Sequence, residues 1–292
     1  MKKMKQMVLP KYFKEIDGEI WLIEDERENM KLSYRVKEIL SVSKSIFQQV
    51  SIIDTYDFGR CLVLDGVIQT TQIDGFIYNE MISHVPLLTH KNPKNVLIIG
   101  GGDCGVAKEL SKYSTVDRID MVEIDELVVQ ESIKSLPEIS GDVHKDSRIR
   151  FIFEDGVKYI KDKKEEYDIA IIDSSDPIGP AEVLFSEGFY VDLKKSIKED
   201  GLMVCQSQSP VFHKDILIKT QNILKKHYPI VNTYKAVVPS YPGGMWSFTL
   251  ASLKYNPLEA CVENLSKDTK YINKEIFRSA FNLPSFIREY LE

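Results

Sequence analysis

Five short apolar runs between residues 95 and 208 constrain this chain more than any other feature. They read NVLIIG, RIDMVEID, RIRFIFEDG, YDIAIIDSS and GLMVCQSQ. Amphipathic stretches near 105–113, 126–136, 157–162, 186–198 and 213–227 lie between and after them. Strands apolar on both faces must be covered on both, and helices alternating with them supply the cover. The pattern therefore predicts an α/β fold with a parallel, doubly covered sheet. After Tyr228 the chain returns to strands, VNTYKAVVPS and MWSFTLASL joined by YPGG, which read as an antiparallel pair at the sheet edge. Residues 1–75 differ. EIWLIED, YRVKEILSV, QQVSIIDTY and GRCLVLDGVIQTTQ alternate with period two around turn residues at Asp57–Gly59 and Asp65–Gly66, and predict antiparallel hairpins. A helical pattern, FIYNEMISHVPLL, links the two regions.

Open α/β sheets bind ligands beyond the carboxyl ends of their strands, at a switch point. Four successive strand ends here carry acids: Gly100-Gly101-Gly102-Asp103, then Glu123-Ile124-Asp125, Asp155-Gly156, and Asp173-Ser174-Ser175-Asp176-Pro177. Singly, each has a bland reading. Asp125 suits a helix cap, Asp155-Gly156 a turn, and Asp176-Pro177 the start of a loop. Together they would crowd like charge into one crevice, which calls for a cation. The glycine loop itself departs from the dinucleotide pattern G-x-G-x-x-G, and Asp103 stands where a pyrophosphate would lie. A nucleoside with a cationic tail fits better, with ribose on Glu123, adenine near Asp155-Gly156 and the tail against Asp103. S-adenosyl compounds meet that description.

The rest of the sequence narrows the classes. A net charge of −6 argues against nucleic acid as the main partner. The basic start MKKMKQMVLPKYF has no apolar run of signal-peptide length, and no stretch approaches a membrane span. Cys61, Cys104, Cys205 and Cys261 form no CxxC pair, and the five histidines lack ligand spacing, so no metal site is expected. The expected compartment is the cytoplasm.

The run GFIYNEMISHVPLLTHKNPKNVLIIGGGDCG, with MVEIDE, FEDG, IIDSSDPIGPAEVLF and PSYPGGMWSF, resembles the spermidine synthases of the polyamine aminopropyltransferase family. The resemblance extends to the hairpin GRCLVLDGVIQTTQ and covers nearly the whole chain. It implies a Rossmann-like, methyltransferase-type doubly wound sheet over 76–292, a small N-terminal antiparallel β domain over 1–75, and a homodimer or homotetramer. It also implies transfer of an aminopropyl group from decarboxylated S-adenosylmethionine to putrescine, with no metal and no cofactor beyond that co-substrate. By resemblance Asp173 is the base, and Tyr78, Asp176 and Tyr241 join it in holding the acceptor amine. Asp103 takes the donor's ammonium, Glu123 its ribose, and Asp155 and Gly156 its adenine. Gln48 and Asn79 are further donor contacts, and Pro180 belongs to a loop over 174–186 that closes over the ligands.

Four positions depart from the family pattern: Gly75, Asn79, Cys104 and Gln208, the last where many relatives carry an acid. Cys104 reads as a small side chain tolerated in a tight loop, and Trp246 suits either a channel wall or the core. The rival readings are an S-adenosylmethionine-dependent polyamine N-methyltransferase, an aminopropyltransferase for cadaverine or spermidine, an NAD-linked dehydrogenase and a polyamine-binding protein. Asp103 and the DSSDP run argue against the first, and the interrupted glycine pattern against the dehydrogenase. A mere binder would not need an adenosine site.

Overall fold

Two sheets follow one another along the chain in the computed structural model, which describes residues 9–176 and 179–292. The first is antiparallel throughout, in chain order: β1 (Phe13–Ile16), β2 (Glu19–Arg27), β3 (Met30–Lys44), β4 (Gln49–Thr55), β5 (Gly59–Leu64) and β6 (Val67–Thr71). The period-two stretches fall on β2 to β6. The turn between β5 and β6 is Asp65-Gly66, both at positive φ, as a tight hairpin requires. Helix α1 (Gly75–Thr89) then enters the protein interior, where every residue but Phe76 is buried.

The second sheet contains β7 (Asn95–Gly100), β8 (Arg118–Glu123), β9 (Ile149–Phe153), β10 (Tyr167–Asp173), β11 (Ile197–Gln206), β12 (Ile230–Val237) and β13 (Met245–Ser252), in the order β12-β13-β11-β10-β7-β8-β9. The strands from β11 to β9 are parallel. β13 and β12 add an antiparallel edge, as the sequence indicates. Helices α2 (Gly105–Ser111), α3 (Glu126–Ser135), α4 (Pro137–Ser140), α5 (Gly156–Lys161), α6 (Glu187–Ser196) and α7 (Lys214–His227) supply the cover. Adjacent strand residues serve opposite layers: Ile98, Ile171 and Val204 join one apolar core, and Leu97, Ala170 and Met203 the other. That division is why the strands read as unbroken apolar runs. Two short helices, α8 (Lys274–Ala280) and α9 (Ser285–Leu291), lack a pattern long enough to read from sequence. Ile287 and Leu291 of α9 pack against Leu217 of α7.

The chain winds from β7 through β8 to β9 on one side and continues from β10 to β11 on the other. The switch point therefore lies between β7 and β10, where the register sets Asp173 opposite Gly100. There the Gly101 N–H donates to the Asp173 carbonyl at 2.9 Å. Gly100 has φ 85°, and a Cβ on it would stand 2.1 Å from the Asp173 carbonyl oxygen. A side chain would meet both a backbone penalty and a hard contact. Gly100→Ala should lower the unfolding free energy by about 2 kcal/mol or more, read by chemical denaturation. A midpoint unchanged from wild type would show that the two strand ends do not need this approach.

Candidate active site

Acids from three strand ends meet at the switch point. Asp173 closes β10, and the Tyr78 hydroxyl, from the first turn of α1, donates to its Oδ1 at 2.7 Å. Asp103 follows the glycine turn after β7. Its Oδ1 accepts the Gly105 N–H at 2.8 Å, and the Asn79 and Thr70 side chains lie beside it and favour its ionised form. The fit is tight: a Cβ on Gly105 would stand 1.9 Å from Asn79 Nδ2, and one on Gly75 would stand 2.4 Å from Thr70 Oγ1. Gly75 thus leaves room for Thr70 beside Asp103. Glu123 closes β8 and accepts the Asp125 N–H at 2.9 Å.

Burial sets the electrostatics here. It raises the Asp173 carboxyl, and the charges of Asp103 and Glu123 add to that, against the Tyr78 hydrogen bond; the result is about 8. Burial likewise pushes Glu123 up to about 7 and raises Asp103, although the Gly105 amide opposes the latter. The Cys104 thiol is buried, and burial with Asp103 and Glu123 nearby holds it well above its ordinary value, so no reactive thiolate forms.

A second wall comes from the loop between β12 and β13. Asp74, just ahead of α1, is buried and accepts the Ser240 N–H at 2.6 Å, the Ser240 hydroxyl at 2.9 Å and the Thr71 hydroxyl at 2.7 Å. This carboxylate ties the loop to the end of β6 and so aims Tyr241. The Tyr241 ring lies edge-on to Tyr78 with centroids 5.8 Å apart, and its hydroxyl donates to the Gln69 carbonyl. Trp246 sits beyond it, 4.7 Å from the Tyr241 ring and within the core. Asp176 is held by Gln208, whose Nε2 donates to its Oδ1 at 2.7 Å. Gln206 in turn accepts the Gln208 N–H and donates to the Ser174 carbonyl.

The remaining sequence-derived positions lie around this centre. Asp155 caps α5 through the Val157 N–H at 2.9 Å, and Gly156 opens that helix where a Cβ would meet Ile99. Gln48 donates to Asp125 at 3.0 Å, beside the Ser45 hydroxyl, while Asp125 caps α3. Pro180 falls in the 3₁₀ segment Gly179–Phe185; its side chain, like Pro177 and Ile178, is outside the described residues. Thr70, Asp74, Gln206 and Ser240 belong to the site without a sequence signal, since each contributes through a contact between distant elements. His90, Asp168 and Asp200 also bring ligand atoms together, but at the opposite end of β10. There Lys198 pairs with Asp168 at 2.8 Å, the Lys94 and Asn95 amides fill its other oxygen, and Tyr255 donates to Asp200.

Comparison with known proteins agrees with this geometry. Residues 75–260 match the spermine/spermidine synthase domain, and residues 20–72 match the spermidine synthase tetramerisation domain. A polyamine aminopropyltransferase of Thermoanaerobacter pseudethanolicus is 46% identical over 94% of this chain and 99% of its own. One from Methanocaldococcus jannaschii is 44% identical over 92% and 94%. Among solved structures, a spermidine synthase in complex with the transition-state analogue AdoDATO superposes with a TM-score of 0.88 at 32% identity, covering 100% of this chain and 99% of that one. The spermidine synthase of Thermotoga maritima gives 0.87 at 33% identity, over 93% and 94%. With its acids gathered over a glycine turn at the switch point and both of its regions matched, this chain belongs to the spermine/spermidine synthase family and is an aminopropyltransferase.

Proposed function

We propose that the enzyme moves the aminopropyl group of decarboxylated S-adenosylmethionine to putrescine, giving spermidine and 5′-methylthioadenosine. Asp173 carries this reading: a half-buried carboxylate at the switch point, 2.7 Å from the Tyr78 hydroxyl and raised to about 8 by desolvation and by Asp103. Such a base suits a proton that must leave an ammonium near neutral pH. One nitrogen of the diamine gives its proton to Asp173 and attacks the methylene carbon beside the sulfonium. The N–C bond forms as the C–S bond breaks, and the electron pair stays on sulfur, which departs as a neutral thioether. The sulfonium is its own activated leaving group, so the step needs no cofactor.

In this reading Tyr78, Asp176 and Tyr241 hold the acceptor with Asp173. Asp103 receives the donor's ammonium, Glu123 its ribose, and Asp155 and Gly156 its adenine, with Gln48 and Asn79 beside them and Pro180 on the closing loop. Asn79 Oδ1 is buried without a hydrogen-bond partner, which supports a ligand donor there. The four cysteines are free, which supports a cytoplasmic, reducing setting. Leu40 and Val42 of β3 and Ile46 and Phe47 beyond it are exposed, which supports assembly into a homodimer or homotetramer through the first sheet. Light scattering at micromolar concentration should give at least twice the monomer mass, and a monodisperse monomer would overturn this assembly.

Asp173→Asn should lower kcat by at least ~10²-fold while 5′-methylthioadenosine still binds. Near-normal turnover would remove Asp173 from the chemistry. The same variant tests the charge. A carboxyl raised to about 8 is protonated in the ligand-free folded state and ionised in the unfolded chain between about pH 4 and pH 8. Its contribution to stability is complete below pH 4 and is lost as the pH rises through 8. The melting temperature of Asp173→Asn relative to wild type should therefore climb between pH 5 and pH 9; a constant difference would mean that Asp173 is ionised throughout.

Asp103→Asn tests the donor. Removing the charge-assisted contact to the donor's ammonium should weaken decarboxylated S-adenosylmethionine by roughly 1.5–3 kcal/mol. It should also narrow that donor's advantage over S-adenosylmethionine, whose extra carboxylate Asp103 repels. An unchanged ratio of the two affinities, by calorimetry, would refute this role.

A further inference from the structure

Helix α1 carries Tyr78, whose hydroxyl reaches Asp173, yet apolar packing does little to fix how that helix is turned. Ile77, Met81, Ile82, Val85, Leu87 and Leu88 are spread around most of its circumference, and all join one apolar core. Apolar contact is non-directional, so the polar groups of the helix decide its rotation about its own axis. Glu80 is the best satisfied of them. Its buried carboxylate accepts the Lys270 N–H on Oε1 at 2.7 Å, and the Tyr271 and Ile272 N–H groups on Oε2 at 2.9 and 2.8 Å. Tyr78 stands two positions earlier, roughly 200° around the helix, so the two side chains leave on nearly opposite sides.

His84, one turn on from Glu80, faces the same way. Its Nε2 donates to Glu109 Oε2 at 2.8 Å, and its Nδ1 lies 2.5 Å from the Tyr113 hydroxyl. That hydroxyl also accepts the Ser266 N–H at 3.3 Å. Lys112 pairs with Glu109 at 2.6 Å and donates to the Asp268 carbonyl at 2.6 Å. Residues 266–272 are thus held at both ends by one face of α1, directly at Glu80 and through Tyr113 at His84. The far side of the same helix offers one hydroxyl to Asp173, at 2.7 Å. A fully satisfied buried polar network specifies one arrangement of its elements, and here it sets the angle at which Tyr78 leaves the helix.

We propose that Glu80 is a positioning residue for the transfer: by gripping residues 270–272 it fixes the rotation of α1 and keeps the Tyr78 hydroxyl on Asp173. The inference rests on the aminopropyl-transfer reading above and deepens it. Asp173 must be ionised to take a proton, and the Tyr78 hydrogen bond favours that form against burial, Asp103 and Glu123. The Tyr241 hydroxyl, kept un-ionised by burial, adds no charge of its own. A helix free to turn would loosen the bond and raise the Asp173 carboxyl further. The base would then become available only at higher pH.

The test is the pH dependence of kcat/KM for transfer from decarboxylated S-adenosylmethionine to putrescine, in the wild type and Glu80→Gln, between about pH 6 and pH 10. Gln keeps one carbonyl oxygen but sets an N–H against a backbone N–H, so the grip is loosened rather than lost. The rise with pH should move up by about half a pH unit or more, with a loss of about threefold or more below it. Tyr78→Phe, which removes the hydrogen bond itself, should shift the rise at least as far, and adding Glu80→Gln to it should shift it no further. Tyr113→Phe, which unlinks His84 from Ser266, should act in the same direction and stands in if Glu80→Gln fails to fold. A lower melting temperature with an unmoved pH profile, or shifts that add in the double variant, overturns the positioning role and leaves the transfer reading intact. If the wild type binds 5′-methylthioadenosine but transfers nothing to putrescine, the transfer reading falls, and this inference with it.

Discussion

Asp173, Asp103 and Glu123 are half-buried within reach of one another's charge, and none of them forms an ion pair among the described residues. The same sheet shows how an acid is buried when stability alone is at stake. Asp120, three residues before Glu123 on β8, accepts two hydrogen bonds from Arg150 at 2.6 Å and one from Tyr167 at 2.8 Å, and those partners hold its carboxyl below the usual range despite burial. At the amino end of β10, Asp168 is likewise answered by Lys198 and two backbone amides. Only at the carboxyl ends are acids left to one another. The fold thus pairs Asp120 thoroughly on β8 and leaves Glu123, three residues on, to backbone amides and neighbouring carboxylates.

Holding like charges together needs a rigid frame. Here the frame is backbone rather than side chain. The Gly101 N–H reaches the Asp173 carbonyl, the register sets Gly100 against Asp173, and Gly105 admits Asn79 against the start of α2. Each contact requires a residue without a Cβ. Cys104 adopts φ 65° in this run, a left-handed conformation that side chains disfavour, and is tolerated because its thiol is fully enclosed by the core. The second wall is steadied differently, by the Asp74 carboxylate that gathers Thr71 and Ser240 and so sets Tyr241 beside Tyr78.

What was legible in the sequence follows from this division. The parallel strands declare themselves because both faces are buried, and the acids at their ends stand out against apolar runs; Asp103, Glu123 and Asp173 are all found that way. The helices α2, α3, α5, α6 and α7 are visible through their spacing, whereas α4, a single turn, is not. Contacts that join residues far apart in the chain leave no local trace. Thr70 beside Asp103 and Asp74 beneath Ser240 depend on how β6, α1 and the β12–β13 loop come together, which no window of sequence encodes.

Charge compensation also ties the donor to the acceptor. In the ligand-free protein the crowding is relieved by protons: Asp173 is raised to about 8 and Glu123 to about 7, each by burial first and by neighbouring carboxylates in addition. A sulfonium and an ammonium entering over the glycine turn would reverse the second contribution. The charge of Asp103 would then be met by a cation, and its upward push on Asp173 would weaken. Asp173 would lose its proton more readily once the donor is in place, which is the state a base needs before an ammonium arrives. By linkage, the ligand that favours the ionised carboxylate also releases protons on binding, and its affinity rises with pH through the range in which Asp173 titrates. The repulsion that makes the empty site unfavourable is thus the same quantity that readies the full one.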